Sequence, residues 1–280
     1  MILIADSGSS KTDWVLLDKK QEHGRFSSLG LNPNFSSDEV IFQEIEKTFN
    51  NSAFSIKVSE IYFYGSGCGN PQNLERVKIC LSKIFVNAKV IEVYSDIFGS
   101  ARALCGNSPG LACILGTGSN SCLYNGEKVI YQSPSYGFIF GDEGSGADIG
   151  KRTLQNYFDN TFSCETNEAF SSWINLSHTE IINKIYRQPN ANRFIASIAM
   201  FHSENLENSE IKILRTESFS AFFEKQIAKI PQAQSYKLSF TGSVSSVFSE
   251  EIKTIAQSKK FQVENIFQSP MQGLINFHSK

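Results

Sequence analysis

Two short polar turns and three aspartates are the residues of this sequence best equipped for chemistry. Ser7-Gly8-Ser9-Ser10-Lys11-Thr12 and Thr117-Gly118-Ser119-Asn120 are built from small residues. In such turns successive backbone N–H groups can converge on phosphate oxygens, because no bulky side chain blocks the approach. Hydroxyls of Ser9, Ser10, Thr12 and Thr117 add donors, and Lys11 adds a local positive charge. Placed on facing domains, the two turns are expected to hold a triphosphate. Neither is a GxxxxGK[ST] loop or a GxGxxG fingerprint, so the phosphate-binding architecture must be a third one.

Asp6 ends the first apolar run beside the first turn, where its carboxylate can orient Mg²⁺ through water; an Asx turn is the competing reading. Asp96 follows the run Val90 to Tyr94 and precedes a helical stretch from Ile97 to Leu104. It reads as a helix N-cap and, compatibly, as an acceptor for the proton of a hydroxyl attacking a γ-phosphoryl group. Asp142 lies in the glycine-dense segment Gly137 to Gly150, which suits a bend carrying a ligand-binding carboxylate; its acids lack the alternation of an EF-hand loop. Thr241-Gly242-Ser243 follows an apolar strand and can meet a base or ribose, or be an ordinary strand-to-helix turn.

These residues sit on an alternation of strands and helices. Short apolar runs at Ile2 to Ala5, Trp14 to Leu17, Glu60 to Tyr64, Val90 to Tyr94, Leu111 to Leu115 and Ser121 to Tyr124 each end in a Gly- or Asp-containing turn. Val40, Ile41, Ile45 and Phe49 recur at helical spacing, as do Leu74, Val77, Leu81 and Ile84. The pattern predicts an α/β fold. Ile4-Ala5-Asp6-Ser7-Gly8-Ser9-Ser10 overlays Ile114-Leu115-Gly116-Thr117-Gly118-Ser119-Asn120, so one strand–turn–strand device occurs twice. Residues 164–234 read as helices closing the second half.

The chain has 280 residues, enough for two domains with real cores. Its 26 basic and 28 acidic side chains leave a net charge of −2, so no cationic field draws it to nucleic acid or anionic lipid. No apolar run approaches the ~20 residues of a membrane helix, and no signal-peptide core follows Met1; a cytoplasmic location is expected. Six cysteines without CxxC or zinc-finger spacing read as structural thiols.

Taken in order, Asp6 to Thr12, Gly30-Leu31-Asn32-Pro33-Asn34, Ser95-Asp96, Leu115 to Asn120, Gly141-Asp142-Glu143-Gly144-Ser145 and Thr241-Gly242-Ser243-Val244 resemble the acetate and sugar kinase, Hsc70 and actin superfamily. Within it they resemble the N-acetylglucosamine kinase-like, BadF/BadG-type ATPase group. The resemblance implies two ribonuclease-H-like domains around a cleft, 1–108 with a returning helix 270–280, and 109–269. It also implies ATP and Mg²⁺ as cofactors, Asp96 as catalytic base, and Asn34, Asn120 and Asp142 as amino-sugar contacts. Thr117 and Gly118 would form the second phosphate loop, and Gly242 and Ser243 the adenosine loop. The expected activity is phosphorylation of N-acetylglucosamine or N-acetylmuramic acid at the 6-hydroxyl, and the expected partners are that sugar and a second copy of the chain. An activator ATPase of 2-hydroxyacyl-CoA dehydratases and a non-catalytic sugar or nucleotide sensor are the alternatives. The first turn departs from the glycine-richer DGGGTKT of many relatives, shifting weight onto serine hydroxyls, and Ser95 stands where relatives often carry Asn.

Overall fold

The repeat seen in the sequence is a repeat of topology. A computed structural model describes residues 1–49 and 55–279. It divides into two units: residues 1–108 with 126–128 and 269–280, and residues 109–125 with 129–268.

The first unit opens with a three-stranded antiparallel meander, β1 (Ile2–Ser7), β2 (Lys11–Asp18) and β3 (Gln21–Leu29). Helix α1 (Asp38–Phe49) leads to β4 (Glu60–Gly65), and α2 (Pro71–Ile84) to β5 (Val90–Ser95), both strands running parallel to β1 in the order β3-β2-β1-β4-β5. Helix α3 (Asp96–Cys105) follows. β1 is central and covered on both faces, which its near-continuous apolar run requires. Leu3 and Ala5 face a core containing Trp14, Ile45, Phe49 and Val77, while Ile4 faces Tyr64, Met271 and Leu274.

The second unit repeats the plan. β6 (Pro109–Leu115), β7 (Ser119–Asn125) and β8 (Val129–Gln132) form its meander. A helical insertion follows: α4 (Gly137–Phe140), α5 (Gly146–Phe158), α6 (Cys164–Ile174), α7 (His178–Tyr186), α8 (Ala191–Ser197), α9 (Ala199–Glu204) and α10 (Ser209–Lys225). Then come β9 (Leu238–Thr241), α11 (Ser243–Val247), α12 (Ser249–Ser258) and β10 (Val263–Phe267). The order β10-β9-β6-β7-β8 is that of the first sheet read from the other edge, with β9 parallel to β6 and β10 parallel to β9. The last helix, α13 (Met271–His278), belongs to the first unit and packs beside α3, where Gly273 lies against Ala103.

The helical insertion has its own core around Tyr157, Phe170, Ile198 and Phe201. Fully buried Arg215 crosses the unit with Glu251 at 2.7 Å, and its guanidinium also donates to the Leu206 carbonyl at 2.9 Å. A buried cation persists only with such partners.

Candidate functional site

In the first unit the β1–β2 hairpin is braced from within. Gly8 N–H donates to the Lys11 carbonyl at 2.9 Å, closing the turn. Leu31 N–H donates to Ser7 Oγ at 3.1 Å, the Ser7 and Thr12 hydroxyls meet at 2.8 Å, and Thr12 Oγ1 donates to the Leu29 carbonyl at 3.0 Å. Ser7 and Thr12 are buried, and this chain of bonds occupies both hydroxyls. Thr12 therefore supports the turn from below instead of adding a side-chain donor at its rim. Ser9 is half-buried near Ser66 and Asn32, and Ser10 is exposed at the tip. Lys11, expected as a local positive charge, is paired with Asp13 at 2.6 Å. Gly30 presses its backbone onto the tip, where any Cβ would strike Gly8 and Ser9.

Asp6 and Asp96 stand at the ends of β1 and β5 on the same edge of the sheet. β1 and β5 both pair with β4, so Ser7, Gly65 and Ser95 are in register across three parallel strands. Burial pushes the Asp6 carboxyl up to about 7, with Asp96 and Asp13 adding like-charge repulsion and the Ser269 hydroxyl opposing it. Burial pushes Asp96 up to about 6. Asp96 is the first residue of α3, one position inside the N-cap expected from the sequence, which Ser95 occupies; its Oδ1 accepts the Ile97 N–H at 2.8 Å. A half-buried carboxylate with proton affinity near neutrality is what a general base requires.

The loop Gly30 to Asn34 flanks this pair. Buried Asn32 donates through Nδ2 to Ser66 Oγ at 3.2 Å, and its Oδ1 accepts the Asn34 N–H at 2.9 Å. Ser66 N–H reaches the Ser7 carbonyl at 2.8 Å, so hairpin and loop are linked. Asn34 is exposed, and its Oδ1 accepts from Asn73 Nδ2 at 2.7 Å.

In the second unit the β6–β7 turn is held mainly by backbone. Gly116 N–H donates to the Gly118 carbonyl at 3.0 Å, Gly146 N–H to Gly116 at 2.8 Å and Ala147 N–H to Thr117 at 3.2 Å, which ties the turn to the start of α5. Asp142 has φ of 56° and turns its carboxyl to Gly118 and to Ser119 N–H, the latter at 3.4 Å. Asn120, on β7, accepts from Ser121 N–H at 2.9 Å and Gln132 Nε2 at 3.4 Å. Gly242, at φ 124°, lies where a Cβ would collide with the Leu115 carbonyl; exposed Ser243 opens α11 next to it. The expected residues thus form two sets, Asp6 to Thr12 with Asn34 and Asp96, and Thr117, Gly118, Asn120 and Asp142 with Gly242 and Ser243. The first set lies in the first unit and the second set in the second.

A "putative N-acetylglucosamine kinase" from Porphyromonas gingivalis shares 34% of its sequence with this chain, covers 100% of it with 99% of its own length, and superposes with a TM-score of 0.93. The chain belongs to this sugar kinase family. Its two units are the ribonuclease-H-like domains of the actin-like ATPase fold. A second "putative N-acetylglucosamine kinase", from Chromobacterium violaceum, is 16% identical over 99% of this chain and 98% of its own, with a TM-score of 0.74. A glucokinase of the ROK family from Streptomyces griseus, solved with glucose and AMPPNP, is 10% identical over 99% and 97%, with a TM-score of 0.56. These two share the fold. No protein-family model matches the chain, and no curated protein sequence does.

Several residues that support these two sets were not singled out from sequence. Asn73 and Arg76 hold the Asn34 loop. Gln226 donates to Ser119 Oγ at 2.8 Å and supports the second turn from 107 positions away. Two acids close to Asp142 are structural: Glu143 pairs with Lys225 at 3.1 Å, and Asp148 accepts from Ser218 at 2.7 Å and Arg152 at 3.1 Å. No local pattern marks such long-range partners. Cys68, Cys80, Cys113 and Cys122 are buried in the cores of the units. No helix among the described residues is long and apolar enough to cross a membrane.

Proposed function

We propose that this sugar kinase transfers the γ-phosphoryl group of ATP to an amino sugar, N-acetylglucosamine or N-acetylmuramic acid, at its 6-hydroxyl. The observation that carries this reading is the carboxylate pair at one sheet edge, Asp6 beside the phosphate-type turn and Asp96 oriented by its own helix start.

In this reading the backbone amides of Ser9 to Lys11, with the Ser9 and Ser10 hydroxyls, bind phosphate oxygens, and the Thr117-Gly118 turn contributes the second set of amides. Gly242 and Ser243 contact the adenosine, and Asn34, Asn120 and Asp142 hold the sugar. The 6-hydroxyl approaches the γ-phosphorus in line, its proton passes to Asp96, the new P–O bond forms and ADP leaves.

Asp6 fits Mg²⁺. Among the described residues no three His, Cys, Asp or Glu side chains form a metal-binding group, and Mg²⁺ bound with nucleotide needs only one or two carboxylates, the rest being phosphate oxygens and water. The crowding of Asp6 by two other carboxyls is relieved when a cation joins it. Held by Asp6 through water, Mg²⁺ would neutralise charge on the phosphates.

The test is a panel of amino and neutral sugars with coupled ADP detection, followed by phosphorus–proton correlation NMR of the product. ADP release that depends on an N-acetylated amino sugar and yields the 6-phosphate is expected. Release independent of any sugar, or none with the whole panel, would contradict the reading, the second outcome pointing to a sensor.

A further inference from the structure

The amide of an asparagine is chemically two-sided, and which side faces a ligand decides what the ligand must offer. For Asn34 that side is set by neighbours that have only one polarity. Asn73, in the first turn of α2, is buried at 7% exposure. On one side it faces the Gly67 carbonyl at 2.8 Å, which can only accept. On the other it faces Arg76 Nη1 at 3.2 Å, which can only donate. Asn73 must therefore turn Nδ2 to Gly67 and Oδ1 to Arg76; the reverse would set oxygen against oxygen and N–H against N–H. The same Nδ2 is 2.7 Å from Asn34, so the Asn34 atom facing it must be the acceptor Oδ1. Asn34 Nδ2 is left pointing away from this network, on an exposed residue, with no bond to another described residue.

The frame around this pair is rigid. Arg76 also donates to the carbonyls of Pro33 at 2.7 Å and Ser36 at 3.0 Å and pairs with Asp38 at 2.6 Å, so it holds both ends of the Asn34 loop. Asn70 Oδ1 accepts the Asn73 N–H at 2.9 Å, and Pro71 opens the helix, which fixes the backbone from which Asn73 projects. The Asn34 N–H is itself bound to Asn32 Oδ1 at 2.9 Å.

We propose that Asn73, oriented by the Gly67 carbonyl and Arg76, is the positioning residue that fixes the polarity of Asn34, so that Asn34 presents an amide N–H to the sugar and selects substrates with an acceptor oxygen there. This rests on Asn34 being a sugar contact, as in the function proposed above. The charged Arg76 polarises the Asn73 amide toward donation, and a pre-set donor has no rotamer to search on binding.

The test compares Asn34→Ala, Asn34→Asp, Asn73→Asp and the double variant Asn34→Ala/Asn73→Asp, measuring KM for N-acetylglucosamine, KM for ATP and kcat, with thermal melting as a folding check. Asn34→Asp keeps the bond from Asn73 but turns an oxygen outward. Asn73→Asp puts an oxygen beside Asn34 and turns the Asn34 amide over. Each is expected to raise the sugar KM about tenfold or more, with KM for ATP and kcat within about twofold. Asn73→Asp should add less than about twofold in the Asn34→Ala background, because its effect passes through Asn34. An Asn73→Asp effect equal in both backgrounds would overturn the positioning role. So would a normal sugar KM in Asn34→Asp, which tests the outward donor even if Asn73→Asp does not fold. If Asn34→Ala alone leaves the sugar KM unchanged, Asn34 is no sugar contact and that assignment falls with the inference. If Asn34→Ala raises it and Asn73→Asp does not, only the inference falls.

Discussion

The two hairpins share a topology and differ in what holds them. In the first unit side chains brace the turn: the bonds Leu31–Ser7–Thr12–Leu29 run beneath it, and Gly30 closes on its tip. In the second, the start of α5 holds it through backbone hydrogen bonds, Gly242 lies close against the Leu115 carbonyl, and the carboxyl of Asp142 lies against Gly118. The strands that flank them differ as well. The end of β5 delivers Asp96 into α3, whereas the end of β10 runs through Gln268 to Ser269, whose hydroxyl meets Asp6. A repeated fold thus supplies two turns of small residues, and where the first copy carries Asp96 just past the end of β5, the second carries Gln268 just past the end of β10. Topology provides the binding plan, and individual residues at strand ends provide the chemistry.

The largest stability effect should separate the hairpins most sharply. Gly242→Val places a branched side chain at positive φ and into the Leu115 carbonyl, and should cost about 3 kcal/mol or more in thermal or urea unfolding. Gly8→Ala, whose Cβ would meet nothing nearer than the Lys11 carbonyl at 3.6 Å, should cost less than about 1 kcal/mol. Equal costs would mean the two turns are held alike.

Thr12→Val comes next. It removes the hydroxyl that joins Ser7 to the Leu29 carbonyl in a buried site and should destabilise by about 1–3 kcal/mol. A melting temperature unchanged from wild type would show that the hydroxyl chain beneath the first turn is not what braces it.

The smallest effect is a divergence with pH. In the second unit His202 is buried and bonded to Thr153 at 2.7 Å; burial, with Arg215 adding repulsion, pushes its pKa down to about 3. Its neutral form contributes stability in full above its unfolded value of 6.5, and that contribution is lost as pH falls toward 3. Asp6 in the first unit has the opposite sense. Raised from 3.8 to about 7, it contributes fully below its unfolded value and loses that contribution as pH rises through 7. Between pH 7 and 5 the second unit should lose, and the first gain, about 1–2 kcal/mol each. Hydrogen exchange of β1 and β6 amides, corrected for intrinsic rates, reads both; movement in the same direction would contradict these assignments.

The sequence made the inner strands and their turns legible, because buried strands read as apolar runs ending in Gly or Asp. It did not reveal β3, whose residues Gln21-Glu22-His23-Gly24 are polar and whose strand lies at the sheet edge, half in solvent. β10, five residues with Glu264 and Asn265 at its centre, escaped for the same reason. Asp6, Asp96, Asp142 and Gly242 could be named from local motif, since turn chemistry is local, and Asn34 only from the resemblance of the segment Gly30 to Asn34 to relatives. Asn73, Arg76 and Gln226 could not, because their partners lie 39, 43 and 107 positions away and a hydrogen bond across such a distance leaves no periodic trace.

The most direct test of the central claim is Asp96→Asn, assayed for phosphoryl transfer to N-acetylglucosamine alongside calorimetric titration with a non-hydrolysable ATP analogue. Loss of about 10²–10⁴ in kcat, with nucleotide affinity within a few-fold of wild type, is expected if Asp96 takes the hydroxyl proton. Turnover near the wild-type rate would contradict it and remove Asp96 from the reaction.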